Sequence, residues 1–277
     1  MQHRLTAEQR NEVGPLYAAG LSSETIAARF GVTPKAIRGL MERRGIARRD
    51  RRECLISRPI DNTVFDEATP AARYWAGFLM ADGNVHAKTE RSSLVQLGLA
   101  EADLGHVEKF RSFIGSGHKI SLCGGKAQLT VCSNDLAAAL VRYGIVPDKT
   151  FTAEAPAFLS EDRDFWRGAI DGDGWISSAR VPLPNNPARM QIQLGLIGSQ
   201  PLVHQFAAYV KSLGVRSWAK PRERKPRVWQ YSIADLAAVS VIRYLYSDAN
   251  VFLDRKMERA RKVLSATDHR AVVLKEG

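Results

Sequence analysis

Cysteine is scarce in this chain of 277 residues: Cys54, Cys123 and Cys132 are an odd set without C-x-x-C spacing. Neither a disulfide framework nor a zinc site is indicated, and a reducing compartment fits. The six histidines are scattered and form no metal-binding cluster in the sequence. No stretch approaches the ~20 apolar residues that span a bilayer, and Met1-Gln-His-Arg lacks the apolar core of a signal peptide. A soluble cytoplasmic protein is expected, without excluding an organelle. Acids are outnumbered as well, 29 against 40 Lys plus Arg, for a net charge of +11. Such a surplus favours a polyanionic partner, because each neutralised phosphate releases counterions; an anionic membrane surface would attract the same charge.

What the chain does contain is a sentence written twice. Trp75-Ala-Gly-Phe-Leu-Met-Ala-Asp-Gly83 recurs 91 residues later as Trp166-Arg-Gly-Ala-Ile-Asp-Gly-Asp-Gly174. Each copy reads as a mostly apolar helix stopped by Asp-Gly, with small residues at matching places: Gly77 and Ala81, Gly168 and Gly172. Small residues at i and i+4 strip one helical face, so two such helices can pack backbone to backbone. Side by side and parallel, they would bring Asp82 and Asp173 together where the helix dipole already disfavours negative charge. A divalent cation relieves both problems, and hard oxygen ligands suit Mg²⁺. The plain alternative for one copy alone is a buried helix ended by a glycine in the left-handed conformation.

These residues resemble the LAGLIDADG homing endonucleases, which are named for this nine-residue motif. The second copy keeps the Asp-Gly-Asp-Gly ending, while the first has Met80 at the earlier acidic position. The resemblance implies that the penultimate acids, Asp82 and Asp173, are the metal ligands, with Ala81 and Gly172 beside them at the metal; Asp171 is not a catalytic candidate. It further implies a lysine near the end of each half that helps order the attacking water, matching Lys149 and Lys256. Mg²⁺ is the implied cofactor, with Mn²⁺ as a substitute and Ca²⁺ binding without supporting cleavage. Glu101 and Gln96 are weaker candidates for lining the first site.

The halves keep matching beyond the motif. Gln96-Leu-Gly-Leu99 recurs as Gln193-Leu-Gly-Leu196 at a spacing of 97, and Asp135-Leu-Ala-Ala138 as Asp235-Leu-Ala-Ala238 at 100, so insertions fall between elements. Each half reads as motif helix, hairpin, helix (103–114; 200–213), second hairpin and closing helices. Alternation in Met190-Gln-Ile-Gln-Leu and Val228-Trp-Gln-Tyr-Ser-Ile marks strands with one buried face. The fold class is α+β: two pseudo-symmetric αββαββα repeats, whose sheets the resemblance places as a saddle over DNA. The boundaries expected are 1–52, 53–155 and 156–277.

Residues 1–52 hold eleven Lys plus Arg against five acids, more than half of the net charge. Thr6-Ala-Glu-Gln9 has capping-box spacing for a helix to about Ala19, stopped by Gly20; a second helix spans Glu24 to Phe30. Thr33-Pro34 opens a third, with Ile37, Leu40 and Met41 on one side and Gly45 as its stop. Three short helices of this kind resemble a helix-turn-helix, whose third helix reads the major groove. Lys35 and Arg38 are the base-contact candidates; Arg43 and Arg44 suit the helix dipole equally well. Arg48, Arg49, Arg51 and Arg52 form a basic linker suited to phosphates. In the repeats, Lys88, Arg91, Arg189, Lys220, Arg222, Arg224, Lys225 and Arg227 are DNA-contact candidates, the last five placed between the later strands of the second half; Lys119 and Lys126 are the thinner first-half counterpart.

The expected activity is Mg²⁺-dependent cutting of both strands of a long duplex DNA site by a monomer with no membrane and no obligate protein partner, acting in a bacterial or phage-infected cell. A mobile-element role, in an intron or as a free-standing gene, is implied by resemblance. The alternatives are a non-catalytic DNA-binding regulator and an RNA-splicing maturase on the same scaffold; helix-turn-helix character argues for duplex DNA, since A-form RNA hides its major groove. An intein is not expected, since the chain lacks Cys or Ser at its start and His-Asn at its end.

Overall fold

The computed structural model describes residues 5–19, 21–47, 59–89, 92–182, 184–185 and 189–267, with 87–89 and 92 described by backbone alone. Two compact units divide at Arg58/Pro59.

In the first unit, Thr6 caps α1 (Ala7–Ala18) with a complete capping box: its Oγ1 accepts from Gln9 N at 3.2 Å, and the Gln9 side chain accepts from Thr6 N at 3.0 Å. Ser22 and Thr33 cap α2 (Ser23–Phe30) and α3 (Pro34–Arg43) by accepting from Thr25 N and Ala36 N. Pro34 falls in the first turn, where a missing N–H costs nothing. Val13, Ile26, Ala27, Ile37, Leu40 and Met41 close a small core of their own. Gly31 and Gly45, both at φ +65°, follow α2 and α3 in the left-handed conformation that glycine tolerates. Gly20 lies outside the described residues.

In the second unit the repeated motifs form α4 (Pro70–Asp82) and α7 (Arg163–Asp173), capped by Thr69 and Asp162. Each passes directly into a strand, β1 (Gly83–Thr89) or β5 (Gly174–Arg180). The glycine at each junction is extended, φ −81° at Gly83 and −88° at Gly174, and not left-handed as a terminating glycine alone would suggest. Space is the reason for glycine there. A Cβ on Gly83 would sit 2.7 Å from the Leu79 carbonyl oxygen, and one on Gly174 2.7 Å from that of Ile170 and 2.8 Å from that of Gly195.

The first half continues with β2 (Ser92–Ala100), a 3₁₀ turn at Glu101–Asp103, α5 (Leu104–Phe113), β3 (Ser121–Cys123), β4 (Lys126–Cys132) and α6 (Asn134–Arg142). The second has β6 (Met190–Gly198), α8 (Gln200–Ser212), β7 (Arg222–Lys225), β8 (Val228–Ala234) and α9 (Asp235–Tyr246), then an added α10 (Asp254–Ser265). Both sheets are antiparallel with the same order, β1-β2-β4-β3 and β5-β6-β8-β7. The α+β repeat pattern is therefore as expected. On the inner faces, Val85, Val95, Leu97, Leu129 and Val131, and Ile176, Leu194, Leu196, Tyr231 and Ile233, join one continuous core with the helices.

One expectation is corrected. Gly83 pairs with Leu97, whereas Gly174 pairs with Leu196, so relative to the motif helices the matching strand residues are 99 apart, not 97. The recurring Gln-Leu-Gly-Leu segments are displaced by two residues between the sheets. A two-residue step keeps every side chain on its original face, so burial tolerates it.

Candidate catalytic centre and nucleic-acid interface

Helices α4 and α7 form the tightest pairing in the unit. A Cβ on Gly77 would overlap the Phe165 carbonyl oxygen, and one on Gly168 would overlap that of Tyr74. Tyr74 and Phe165 are themselves equivalent positions, 91 residues apart. The contact is thus reciprocal, as a two-fold relation requires. Gly172 lies against its own equivalent, Ala81, so the local two-fold passes between those residues, and Asp82 and Asp173 flank it as the last residues of their helices.

Both carboxylates are half-buried, and among the described residues neither accepts a hydrogen bond. The Asp82 Oδ2 stands 3.3 Å from where a Gly172 side chain would begin, leaning across the pair into space that only glycine leaves open. Burial, and then the charge of Asp173, push the Asp82 carboxyl up to about 6; burial also raises Asp173 against the opposing pull of Lys149 and Lys256. Two donor-free, mutually repelling carboxylates at two helix C-termini make a sink for a hard cation. No cluster of three or more His, Cys, Asp or Glu able to hold a metal exists among the described residues. The donor set therefore fits an ion that keeps waters and takes substrate phosphates, as Mg²⁺ does, and not a closed protein cage.

Lys149 lies in a 3₁₀ turn (Lys149–Phe151) and Lys256 in the first turn of α10; both are buried. The Lys149 ammonium donates to the Gly83 carbonyl, and Lys256 to those of Gly174 and, at 2.9 Å, Ile170. Each cation thus sits on the carbonyl end of a motif helix, offsetting the dipole beside the acids. Burial lowers both lysines, Lys256 to about 8, while Asp173 and Asp82 pull Lys149 back and Asp171 does the same for Lys256. Sequence reasoning missed Arg255, whose charge is the strongest favourable influence on Asp82 and whose Nε donates to Asp103 at 3.0 Å. Its adjacency to Lys256 was the available signal.

Asp171 is wholly buried and accepts from the Tyr74 hydroxyl at 2.7 Å, the Tyr246 hydroxyl at 2.6 Å and Leu253 N at 2.7 Å. It fastens the entrance of α10. Met80, its counterpart, is buried with its methyl group 3.2 Å from where a Gly144 side chain would begin.

The expected DNA contacts divide. Lys35 and Arg38 are exposed on α3, away from Ile37, Leu40 and Met41; Arg38 makes a surface ion pair with Glu24 at 3.2 Å, a weak tie. Arg44, by contrast, donates to the Arg10 carbonyl at 2.6 Å and Asn11 Oδ1 at 3.0 Å, holding α3 to α1. Arg48, Arg49, Arg51, Arg52 and Arg91 lie outside the described residues, and Lys88 is placed only as a backbone position in β1. Arg189 is engaged with Asp235 at 2.5 Å. The run Lys220–Arg227 does not simply separate strands, as expected: Arg222, Arg224 and Lys225 belong to the edge strand β7, and Arg227 takes φ +67° in the turn with its guanidinium 4.2 Å from the centre of the Phe151 ring. All five cations of that run are exposed, as are Lys119 and Lys126. Glu101 is exposed, and Gln96 donates to Thr130 Oγ1 at 3.3 Å.

The outer sheet faces carry a polar register that sequence reading passed over. In the first sheet it runs through Asn84, His86, Gln96, Gln128 and Thr130; in the second through Ser177, Gln191, Gln193 and Ser232, with Gln230 in the same register but buried. Amides and hydroxyls on alternate strand positions suit hydrogen bonding to base edges. The alternation of polar residues was the signal.

No protein-family model matches the sequence, and no curated protein resembles it. Solved structures share its fold. The LAGLIDADG meganuclease I-AabMI, bound to uncleaved DNA, has a TM-score of 0.52 at 12% identity over 73% of this chain and 91% of that one. I-SmaMI, bound to an uncleaved DNA target with calcium ions, has 0.53 at 11%, covering 73% and 93%. The homing endonuclease I-GzeII, in complex with its DNA target, has 0.50 at 10%, covering 74% and 94%. At these identities the shared feature is architecture: the chain has the LAGLIDADG homing endonuclease fold.

Proposed function

We propose that this protein is a site-specific, double-strand DNA endonuclease that works as a monomer. The observation that carries the reading is the pair of half-buried carboxylates, Asp82 and Asp173, at the joined ends of α4 and α7, to which no described residue donates a hydrogen bond. A scaffold that had given up chemistry would have no reason to keep two acids where burial and mutual repulsion disfavour them. DNA in the complexes of I-AabMI and I-GzeII supports the partner assignment.

Asp82 and Asp173, with the carbonyls of Ala81 and Gly172 beside them, would hold divalent metal, Mg²⁺ by preference. Bound there, the ion supplies charge neutralisation at phosphorus and stabilisation of the leaving 3′ oxygen. The protein's own share is positioning. Lys256 spends two of its three N–H donors on backbone carbonyls and Lys149 one, so each retains a donor for the attacking water. The polar outer faces and the cations of β7 hold the duplex, and α3 with Lys35 and Arg38 adds a helix-turn-helix contact. Intron homing or a free-standing mobile gene is the biological setting this activity suits.

Selection of cleaved molecules from a randomised duplex library, with Mg²⁺, with EDTA and with the Asp173→Asn protein, tests the reading. Metal-dependent recovery of one long site, lost in the variant, is expected. Tight binding without cutting would transfer the assignment to a DNA-binding regulator.

A further inference from the structure

Trp218 is fully exposed, at 101% of the reference value. Large aromatic rings are ordinarily buried to a substantial degree, and leaving one in water forgoes much of its hydrophobic stabilisation. The surrounding loop is well anchored, so the exposure is built in. On one side Val215 packs against the core; on the other, Ala219 N donates to Ser217 Oγ at 3.1 Å, with Ser217 beside the Tyr231 hydroxyl. The ring borders a concavity of about 750 Å³ on the α8 side of the sheet, which His204, Lys211 and Tyr231 help to line. Residues 211–227 carry seven cations, Lys211, Arg216, Lys220, Arg222, Arg224, Lys225 and Arg227, against one acid, Glu223. The corresponding first-half connection, residues 114–126, offers Lys119 and Lys126 and no Phe, Tyr or Trp.

We propose that Trp218 is a nucleic-acid contact that sits against the deoxyribose and base edges of duplex DNA at the second-half flank of the site, while the surrounding cations hold the phosphates. The inference rests on the DNA-binding reading above and adds to it an apolar anchor present in one half only. Charge complementarity selects the partner: an exposed ring inside so dense a basic patch suits a polyanion with apolar surfaces between its phosphates, and aromatic rings among cations are how proteins grip bases and sugars. Self-association through this surface is opposed by its own charge.

The test uses the full chain and a 40-base-pair random-sequence duplex. The other tryptophans are buried (Trp75, Trp166) or half-buried (Trp175, Trp229), so the emission lost in Trp218→Phe isolates this ring. Saturating duplex should shield that emission from acrylamide. Trp218→Ala should weaken binding about tenfold while leaving the slope of log affinity against log salt unchanged, because no phosphate contact is lost. The Lys220→Ala/Arg222→Ala/Arg224→Ala protein should instead lower that slope. Wild-type binding with Trp218 still open to acrylamide and an undiminished Trp218→Ala affinity would overturn the proposal and leave the DNA reading standing. Absence of any duplex binding by the wild type would overturn both. Shielding that grows with protein concentration alone would overturn it in favour of a second copy.

Discussion

The two halves solve one structural problem with different chemistry. Each must fasten the segment that carries its site lysine to the end of its motif helix. In the second half a buried carboxylate does so: Asp171 draws two tyrosine hydroxyls and the Leu253 amide together, immediately ahead of α10 and three residues ahead of Lys256. In the first half, Met80 packs against Gly144, five residues ahead of Lys149, without a polar bond. The polar arrangement is directional and demands complete pairing; the apolar one is adaptable. Inequality extends outward, since Arg255 precedes Lys256 whereas Asp148 precedes Lys149, and β7 is basic whereas β3 is not. The two acids and the two lysines thus recur in both halves while their supports diverge.

The comparison can be broken most sharply at the acids. Asp82→Asn and Asp173→Asn should each lower double-strand cleavage about a thousandfold or more, since bound metal supplies several kcal/mol of transition-state stabilisation, while binding persists. Linearisation of a target plasmid measures it, and nicking left behind by one variant alone would reveal unequal sites. At the helix pair the halves should respond alike. Gly77→Ala and Gly168→Ala each drive a methyl group into a carbonyl of the opposite helix, at about 3 kcal/mol or more in urea unfolding.

The supports should respond differently. Asp171→Leu strands the buried Tyr246 hydroxyl and Leu253 amide, leaving the Tyr74 hydroxyl only His106, and should cost about 3 kcal/mol, whereas Met80→Leu should cost less than about 1.5 kcal/mol. Equal losses would mean that the polar network contributes nothing particular. A smaller effect concerns pH. The folded protein without metal holds the Asp82 proton up to about 6, whereas an unfolded chain releases it near 4. The raised carboxyl therefore favours folding below pH 4, and that contribution is lost as pH rises through 6. In EDTA, the Tm advantage of Asp82→Asn over wild type should grow between pH 4.5 and 7, and Mg²⁺ should reduce it at pH 7.5 but not at 4.5. The smallest change should follow removal of residues 1–52: weaker binding and a shallower salt dependence, with the cleavage rate at saturating protein nearly unchanged.

Much of this was legible in the sequence. Thr6, Ser22, Thr33, Thr69 and Asp162 act within three residues of themselves, and such local hydrogen bonds follow from residue type and spacing. Gly77 and Gly168 announced a close helix pair because a repeated absence of side chain is itself a pattern. The two-residue displacement of Gln96-Leu-Gly-Leu99 against Gln193-Leu-Gly-Leu196 was hidden, since both registers bury the same face. Arg189 looked free until Asp235, 46 residues on, proved to be its partner. Arg255 carried no motif, and its influence on Asp82 arises wholly from the crossing of α10 into the first half, where Lys109 and Asp103 receive it.

By itself, then, the amino-acid sequence determined the duplicated αββαββα plan, the helix caps, the close pairing of α4 with α7 and the meeting of Asp82 and Asp173 at its end, because each depends on short-range spacing or on a repeat that reads itself. Tertiary structure alone decided the carboxylates' raised pKa, the lysines' engagement with helix-end carbonyls, the strand register and the exposure of Trp218. Those properties depend on which distant groups share a volume and how much water is left among them, and neither is written in any local stretch of chain.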